Sequence, residues 1–282
     1  MDPNTSTHPV SDVWAKVPDL DVATQERLAD VLEARGADPR QQAMRDVFLD
    51  EIGFPATSRV LDIGCGTGVL TRRLARLPGV GSVVGVDAAP SLLRKAEALA
   101  ADLAHVGFVE ADARALPFED ASFEVVVFDS TLSHVPQPEE ALAEAFRVLR
   151  ASGSLAAFDG DYATTTVSLA DHDPLQACVH AMMDSSVTDR RLVRRLPGLA
   201  REAGFTVTSF RSYGFAEIEG GEYMLSIVDR GADLLSSGGH IGADTAEALK
   251  REARRRAEAG VFFGHIAYAS LHARKGEAPN RL

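Results

Sequence analysis

The sequence predicts an α/β fold, with a mostly parallel sheet, helices on both of its faces and a helical cap. Three observations carry that expectation. Between Arg59 and Asp161, short apolar runs alternate with helical segments, the order expected of a parallel sheet covered on both sides. Within that region "FEVVVFDS" is apolar almost throughout, as a strand buried on both faces must be. After Asp161 the alternation pauses, and two late helical stretches interrupt the remaining strands. At 282 residues the chain is long enough for one large domain with a sizeable core.

The elements follow in order. Residues 1 to about 20 are mostly polar and include Pro3, Pro9 and Pro18, so a loose arm is expected there. "VATQERLADVLEARG" reads as an amphipathic helix, with Leu28, Val31 and Leu32 on one side and Gly36 at its end. "PRQQAMRDVFLDEIG" reads as a second helix opened by Pro39. Then come strand "RVLDIG", helix "GVLTRRLARLPG", strand "GSVVGVDAA", helix "PSLLRKAEALAADL", strands "VGFVEADA" and "FEVVVFDS", helix "PEEALAEAFRVLRASG" and strand "GSLAAFDGD". Residues 162–203 read as mostly helical or irregular, with no clear strand signal. "GFTVTSFRSYGFAEI" and "GVFFGHIAYASLHAR" supply two last strands, with a helical insertion near 222–258 between them. The expected organisation is an arm and helix over 1–38, an α/β core over 39–161 and a cap insertion over 162–203. Residues 204–282 then hold the last strands and the second insertion.

Composition narrows the function. The formal net charge of -12 repels phosphate backbones and anionic bilayers, so neither nucleic acid nor membrane is an expected partner. Two cysteines, Cys65 and Cys178, cannot build a disulfide framework or a cysteine-rich metal cluster, and they suit a reducing cytoplasm. The opening residues show no basic-then-apolar secretory pattern, and no stretch is long and apolar enough to span a bilayer. A soluble, cytoplasmic protein is expected, with its oligomeric state open.

The glycine turn in "RVLDIGCGTGVLTRRLA" is the chief functional signal. A strand, a sharp turn and a helix N-terminus bring free N–H groups close to a ligand. The turn ends Gly68-Val69-Leu70 rather than Gly-Lys-Ser/Thr, which excludes a phosphate-cradling NTPase loop. A dinucleotide fingerprint counted from Gly64 needs a third glycine where Val69 stands; the glycines are 64, 66 and 68. Asp62, two residues before the turn, would repel a pyrophosphate and attract a ligand bearing ammonium and sulfonium groups. Asp87, 21 residues after Gly66, is placed to accept both hydroxyls of a ribose.

"VLDIGCGTG", the acid in "VVGVDAA", "VEADARALPF" and "LSHVPQPEEALAEAFRVLRASGSL" together resemble the class I S-adenosylmethionine-dependent methyltransferases. Within them the likeness is to the ubiquinone/menaquinone-type and small-molecule natural-product enzymes. The resemblance covers roughly residues 40 to 215. It implies a Rossmann-like, mostly parallel seven-stranded sheet and S-adenosyl-L-methionine as cofactor. By that resemblance Asp62, Gly64, Gly66 and Gly68 line the methionine portion, and Asp87, followed by Ala88, takes the ribose. Asp112 meets the adenine amino group with Ala113 beside the ring. Asp129 and Ser130 face the methionine end, and Arg45 reaches the ligand's carboxylate.

The acceptor side is less determined. His134 in "STLSHVPQPE" falls at the sheet edge that holds the glycine turn, where it either removes a proton or simply packs. If it is a base, Asp159 or Asp161 in "FDGD" is expected to orient it. His180 and Met183 in one insertion, and Tyr223 and Met224 in the other, are candidates to line an apolar acceptor pocket, or else form the core of the cap. No metal-ligand spacing is present. Methyl transfer to O, N or C of a small-molecule acceptor is the leading expectation. The alternative is a cyclase or isomerase that keeps the cofactor as a fixed charge and moves no methyl group.

Overall fold

The computed structural model describes residues 12–218 and 222–276. Its centre is a seven-stranded sheet in the order β3-β2-β1-β4-β5-β7-β6. The strands are β1 Ser58–Ile63, β2 Val80–Asp87, β3 Val106–Glu110, β4 Phe123–Asp129, β5 Leu149–Val167, β6 Phe205–Glu217 and β7 Gly264–Lys275. β1 to β5 pair in parallel, and β7 runs antiparallel to both of its neighbours. The α/β class and the mostly parallel sheet expected from the alternation are therefore both present.

Side-chain alternation makes two cores. Val60, Val83, Val125, Val127 and Phe158 pack on one face with Phe48, Leu70 and Leu74. Leu61, Ile63, Val86, Val126 and Phe128 pack on the other with Leu142, Ala145 and Leu196. Those helical residues belong to α2 Pro39–Asp50, α3 Val69–Leu74, α5 Pro138–Val148 and α7 Leu192–Glu202. α1 Val22–Ala37 is capped by the Asp21 carboxylate, which accepts from Thr24 N, and α2 by Asp38, which accepts from Arg40 N and Gln41 N ahead of Pro39. α4 Pro90–Leu99 lies between β2 and β3 in the chain. The order reverses between β1 and β4, so a crevice opens at their carboxyl ends, where Asp62, Asp87 and Asp129 stand on adjacent strands.

Several elements differ from their expected form. β5 begins at Leu149, so the preceding helix stops at Val148. It also continues past Asp161 to Val167, because after a register shift Thr166 and Val167 pair with His265 and Gly264 of β7. Residues 162–167, expected to be helical or irregular, are therefore sheet. α7 spaces Leu192, Leu196 and Ala200 along one side and packs on the sheet and α5, leaving α6 Leu175–Ser186 to the cap. The stretch near 222–258 is two helices, α8 Glu222–Ser237 and α9 Ala243–Glu258. α8 packs against both α6 and α9. Part of the arm expected to be loose is docked: Trp14–Asp19 is a 3-10 helix whose Val17 is buried with Leu28, Ala29 and Leu92. Pro3, Pro9 and the rest of residues 1–11 lie outside the described residues.

Candidate active site

A cavity of about 270 Å³ lies at the carboxyl ends of β1, β2 and β4. Among the predicted residues Asp62, Gly64, Gly66, Asp87, Ala88, Asp112, Ala113, Asp129, Ser130 and Arg45 all line it, and Gly68 closes the turn beneath as the N-cap of α3. The turn needs its glycines. Gly64, Gly66 and Gly68 have φ of +73°, +53° and +75°, and a Cβ on Gly64 would collide with the Thr131 side chain. The Asp87 carboxylate holds the turn from the next strand, accepting from Gly66 N at 2.8 Å and Ala89 N at 2.9 Å.

The electrostatics select the ligand. Asp62 is 1% exposed, and the Thr71 hydroxyl donates to it at 2.6 Å. Burial, then the nearby charges of Asp129 and Asp87, push its pKa up to about 7. A carboxylate so placed is short of a cation, and an ammonium in the cavity supplies one. Burial likewise raises Asp87, against the backbone N–H groups that favour its charge. Arg45 reaches across from α2 to Asp129, with Nε at 2.5 Å from Oδ2 and Nη2 at 3.3 Å from Oδ1. At the other end Arg114 donates to both oxygens of Asp112. Acids near the turn, and an arginine beside them, fit a zwitterionic amino-acid tail bearing a sulfonium, and they disfavour a diphosphate. The residues present thus fit S-adenosylmethionine.

His134 lines this cavity and a second one beneath the cap. Neither expected carboxylate orients it. Asp159 accepts from Ser133 N and Oγ and from Gly160 N, while Asp161 accepts from Arg194 Nε at 2.8 Å. The partner of His134 is Asp12, whose Oδ2 lies 2.9 Å from Nδ1 and also accepts from Thr188 N and Oγ1.

The second cavity is small, about 30 Å³. Met183 and Tyr223 line it. His180 is exposed and stands beside Gln176, and Met224 is fully buried against Gly264, so neither is brought to the cavity. The structure adds residues that sequence reasoning missed. Trp14 and Arg35 line both cavities, and Tyr162 and Arg230 line the second. Trp14 and Asp12 belong to the polar arm, and nothing local in the sequence announces that it folds over the crevice. Among the described residues no group of three or more His, Cys, Asp or Glu is placed to hold a metal ion, and no helix is long and apolar enough to cross a membrane.

Comparison with known proteins agrees with this geometry. Residues 61–157 match the family described as methyltransferase domain. The ubiquinone/menaquinone biosynthesis C-methyltransferase UbiE of Dinoroseobacter shibae is 32% identical over 198 residues, covering 63% of this chain and 78% of that protein. A 37.1 kDa protein encoded in transposon TN4556 of Streptomyces fradiae is 32% identical over 167 residues, 59% of this chain and 48% of its own. The chain thus spans about half the length of that relative and over three quarters of UbiE. Among solved structures, geranyl diphosphate C-methyltransferase of Streptomyces coelicolor, in complex with S-adenosyl-L-homocysteine, superposes with a TM-score of 0.53 at 14% identity, covering 95% of this chain and 89% of that one. The [4+2]-cyclase SpnF superposes with a TM-score of 0.54 at 22% identity, covering 86% and 85%. The chain belongs to the class I S-adenosylmethionine-dependent methyltransferases. Its cofactor is S-adenosylmethionine.

Proposed function

We propose that the protein transfers a methyl group to O, N or C of a small organic acceptor, in specialised metabolism and in the cytoplasm. The observation that carries this reading is Asp62, a buried carboxylate that no cation among the described residues pairs with, beside a left-handed glycine turn. The free, buried thiols of Cys65 and Cys178 suit a reducing compartment. The name of the UbiE relative favours carbon as the accepting atom.

When bound, S-adenosylmethionine supplies a methyl group already activated for in-line displacement. The protein's part is to hold, orient and exclude water. Asp62 takes the ammonium, Arg45 the carboxylate, and Asp87 the ribose hydroxyls through the lone pairs its backbone partners leave free. Asp112 and Ala113 meet the adenine. Thr131 and Ser130 close the methionine end, where the Ser130 hydroxyl donates to Asp129 at 3.0 Å. His134, held through Nδ1 by Asp12, stands between the two cavities, where a phenol or carbon acid would lose its proton. The cap side chains Met183 and Tyr223 contact the acceptor.

Calorimetry with S-adenosylhomocysteine tests the cofactor half: binding is expected, with at least tenfold loss in Asp87→Ala. Mass measurement of products from an acceptor panel tests the other half. A gain of one methyl group supports transfer, and a rearranged product of unchanged mass supports the cyclase reading, which otherwise rests on shared fold alone.

A further inference from the structure

Two guanidinium groups face the small cavity under the cap, and none of the residues lining it is an acid. Arg35, from α1, stands in the wall common to both cavities. Its Nε and Nη2 are buried and, among the described residues, make no hydrogen bond. Its guanidinium carbon lies 5.5 Å from the centre of the Tyr223 ring, a contact that leaves the N–H donors unmet. Among the described residues Arg230, from α8, donates only within its own helix, from Nε to the Ser226 carbonyl at 3.1 Å and from Nη2 to the Ser226 hydroxyl at 3.2 Å. Burial pulls its pKa down, and the neighbouring Arg35 pulls the same way against the Tyr223 phenol. The buried Arg45 is matched with Asp129, and the half-buried Arg72 and Arg256 with Glu33 and Asp173. Asp129 and Asp229 act on them only through space, and among the described residues neither arginine forms an ion pair. Desolvated donors without acceptors are costly.

The geometry points to an acceptor that carries a carboxylate or phosphate, gripped between Arg35 and Arg230, with its apolar part against Met182, Met183 and Ile227. This rests on the methyl-transfer reading, which makes the second cavity the acceptor's. The anion belongs to the acceptor rather than to the cofactor because Arg230 does not line the cofactor cavity, and Arg45 already stands where the cofactor's carboxylate is assigned. Guanidinium forks suit planar or tetrahedral oxyanions in two-point contact. The cavity of about 30 Å³ has room for roughly one water, so the acceptor enters by moving the flanking methionines, which repack readily. Trp14 lies on the same wall and moves with them or reports their movement.

Trp14 is the chain's single tryptophan and lines both cavities, so its fluorescence follows either ligand. The full chain, saturated with S-adenosylhomocysteine, is titrated with 3-phenylpropanoate, 2-phenylethyl phosphate and the neutral 3-phenylpropanamide. At least one acid is expected to bind tenfold or more tighter than the amide, and the tighter of the two identifies the anion. Arg230→Gln is expected to reduce that preference at least fivefold while S-adenosylhomocysteine still binds within twofold of wild type, which also shows that the variant folds. Arg35→Gln is expected to reduce it likewise, with partial recovery in Arg35→Lys. Equal binding of acids and amide, or an unchanged preference in Arg230→Gln, overturns the assignment. So does an Arg35→Gln protein that loses tenfold in S-adenosylhomocysteine affinity but keeps its preference for acids, since Arg35 then serves the cofactor. A wild-type protein that binds no S-adenosylhomocysteine fails the methyl-transfer reading instead, a separate result.

Discussion

Asp62 makes cofactor affinity depend on pH in a direction that can be worked out. In the free protein its pKa stands at about 7, raised chiefly by burial and then by Asp129 and Asp87. Against an ordinary value of 3.8 that is a shift of about three units, or about 4 kcal/mol against the charged form. The folded pKa lies above the unfolded one, so this acid's contribution to stability falls as pH rises from near 3.8 through about 7. A ligand ammonium beside the carboxylate favours the charged form and draws the pKa back down. Affinity for S-adenosylhomocysteine should therefore rise with pH and level off above about 7. Between about pH 7.5 and about pH 5.5 the ionised fraction drops from roughly three quarters to roughly one thirtieth, so binding should weaken ~25-fold. Calorimetry in two buffers of different ionisation enthalpy should show a proton released on binding at the acid end. Asp62→Asn should remove the pH dependence and cost about 2 kcal/mol of affinity near neutrality. It should also raise the melting temperature of the ligand-free protein, because a buried charge is gone. Asp87, raised by burial too, remains in that variant, so the variant separates the two acids. A flat affinity across this range, with no buffer-dependent heat, refutes the reasoning.

Three other perturbations have definite outcomes. Gly64→Ala forces a Cβ into the Thr131 side chain at a φ of +73°, and thermal unfolding should show a loss of about 1–3 kcal/mol together with lost cofactor binding; unchanged melting and affinity would count against the turn as described. Asp12→Asn weakens the tie between the arm, His134 and Thr188. Stopped-flow release of S-adenosylhomocysteine should quicken several-fold, about 1 kcal/mol, and an unchanged release rate would mean that the arm does not retain the ligand. Gly231→Ala puts a methyl group into the Cys178 backbone where α8 crosses α6. Overpacking there should cost about 1–3 kcal/mol in denaturant unfolding and leave S-adenosylhomocysteine affinity alone, so a coupled loss of affinity would refute the separation of cap from cofactor site.

The legible parts of the site are those set by short stretches of chain. Gly64, Gly66 and Gly68 must be glycine because the backbone there is left-handed, and the acids at 62, 87 and 129 sit where buried strands end. The helical candidates were legible only in part. Adjacent residues on a helix point about 100° apart, so Tyr223 and Met224 could not both face one cavity. The buried stripe Met224, Ile227, Val228 and Gly231 assigns Met224 to the core and leaves Tyr223 to the wall. On α6 the buried set Cys178, Val179, Met182 and Met183 excludes His180 by the same spacing. The extension of β5 had a local signal in the β-branched run Thr164 to Val167, but its partner, β7, lies about a hundred residues on. Pairings of this kind are invisible to local pattern. The Asp12–His134 contact spans 122 residues, and the nearer acids of "FDGD" were the natural but wrong partners.

The two cavities divide charge between them in a way that a net value of -12 conceals. Asp62, Asp87 and Asp129 line the larger cavity and Arg230 the smaller, with Arg35, His134 and Trp14 in the wall common to both. Such a division orients both reactants before any chemistry. On the acceptor assignment proposed above, a cationic donor would be drawn toward the acids and an anionic acceptor held from behind by the arginines, so that the reacting ends would meet at the wall. Fixed charges arranged beforehand in a dry site need not reorganise as the methyl group moves. The arm completes this arrangement, since Asp12 and Trp14 come from it and Arg35 from the helix that follows. Removing the arm should therefore lower acceptor turnover more than cofactor binding. It takes Trp14 from both cavities and frees His134, whereas the charged and polar groups assigned to the cofactor (Arg45, Asp62, Asp87 and Asp112) remain, so the cofactor loses only the retention that the arm adds.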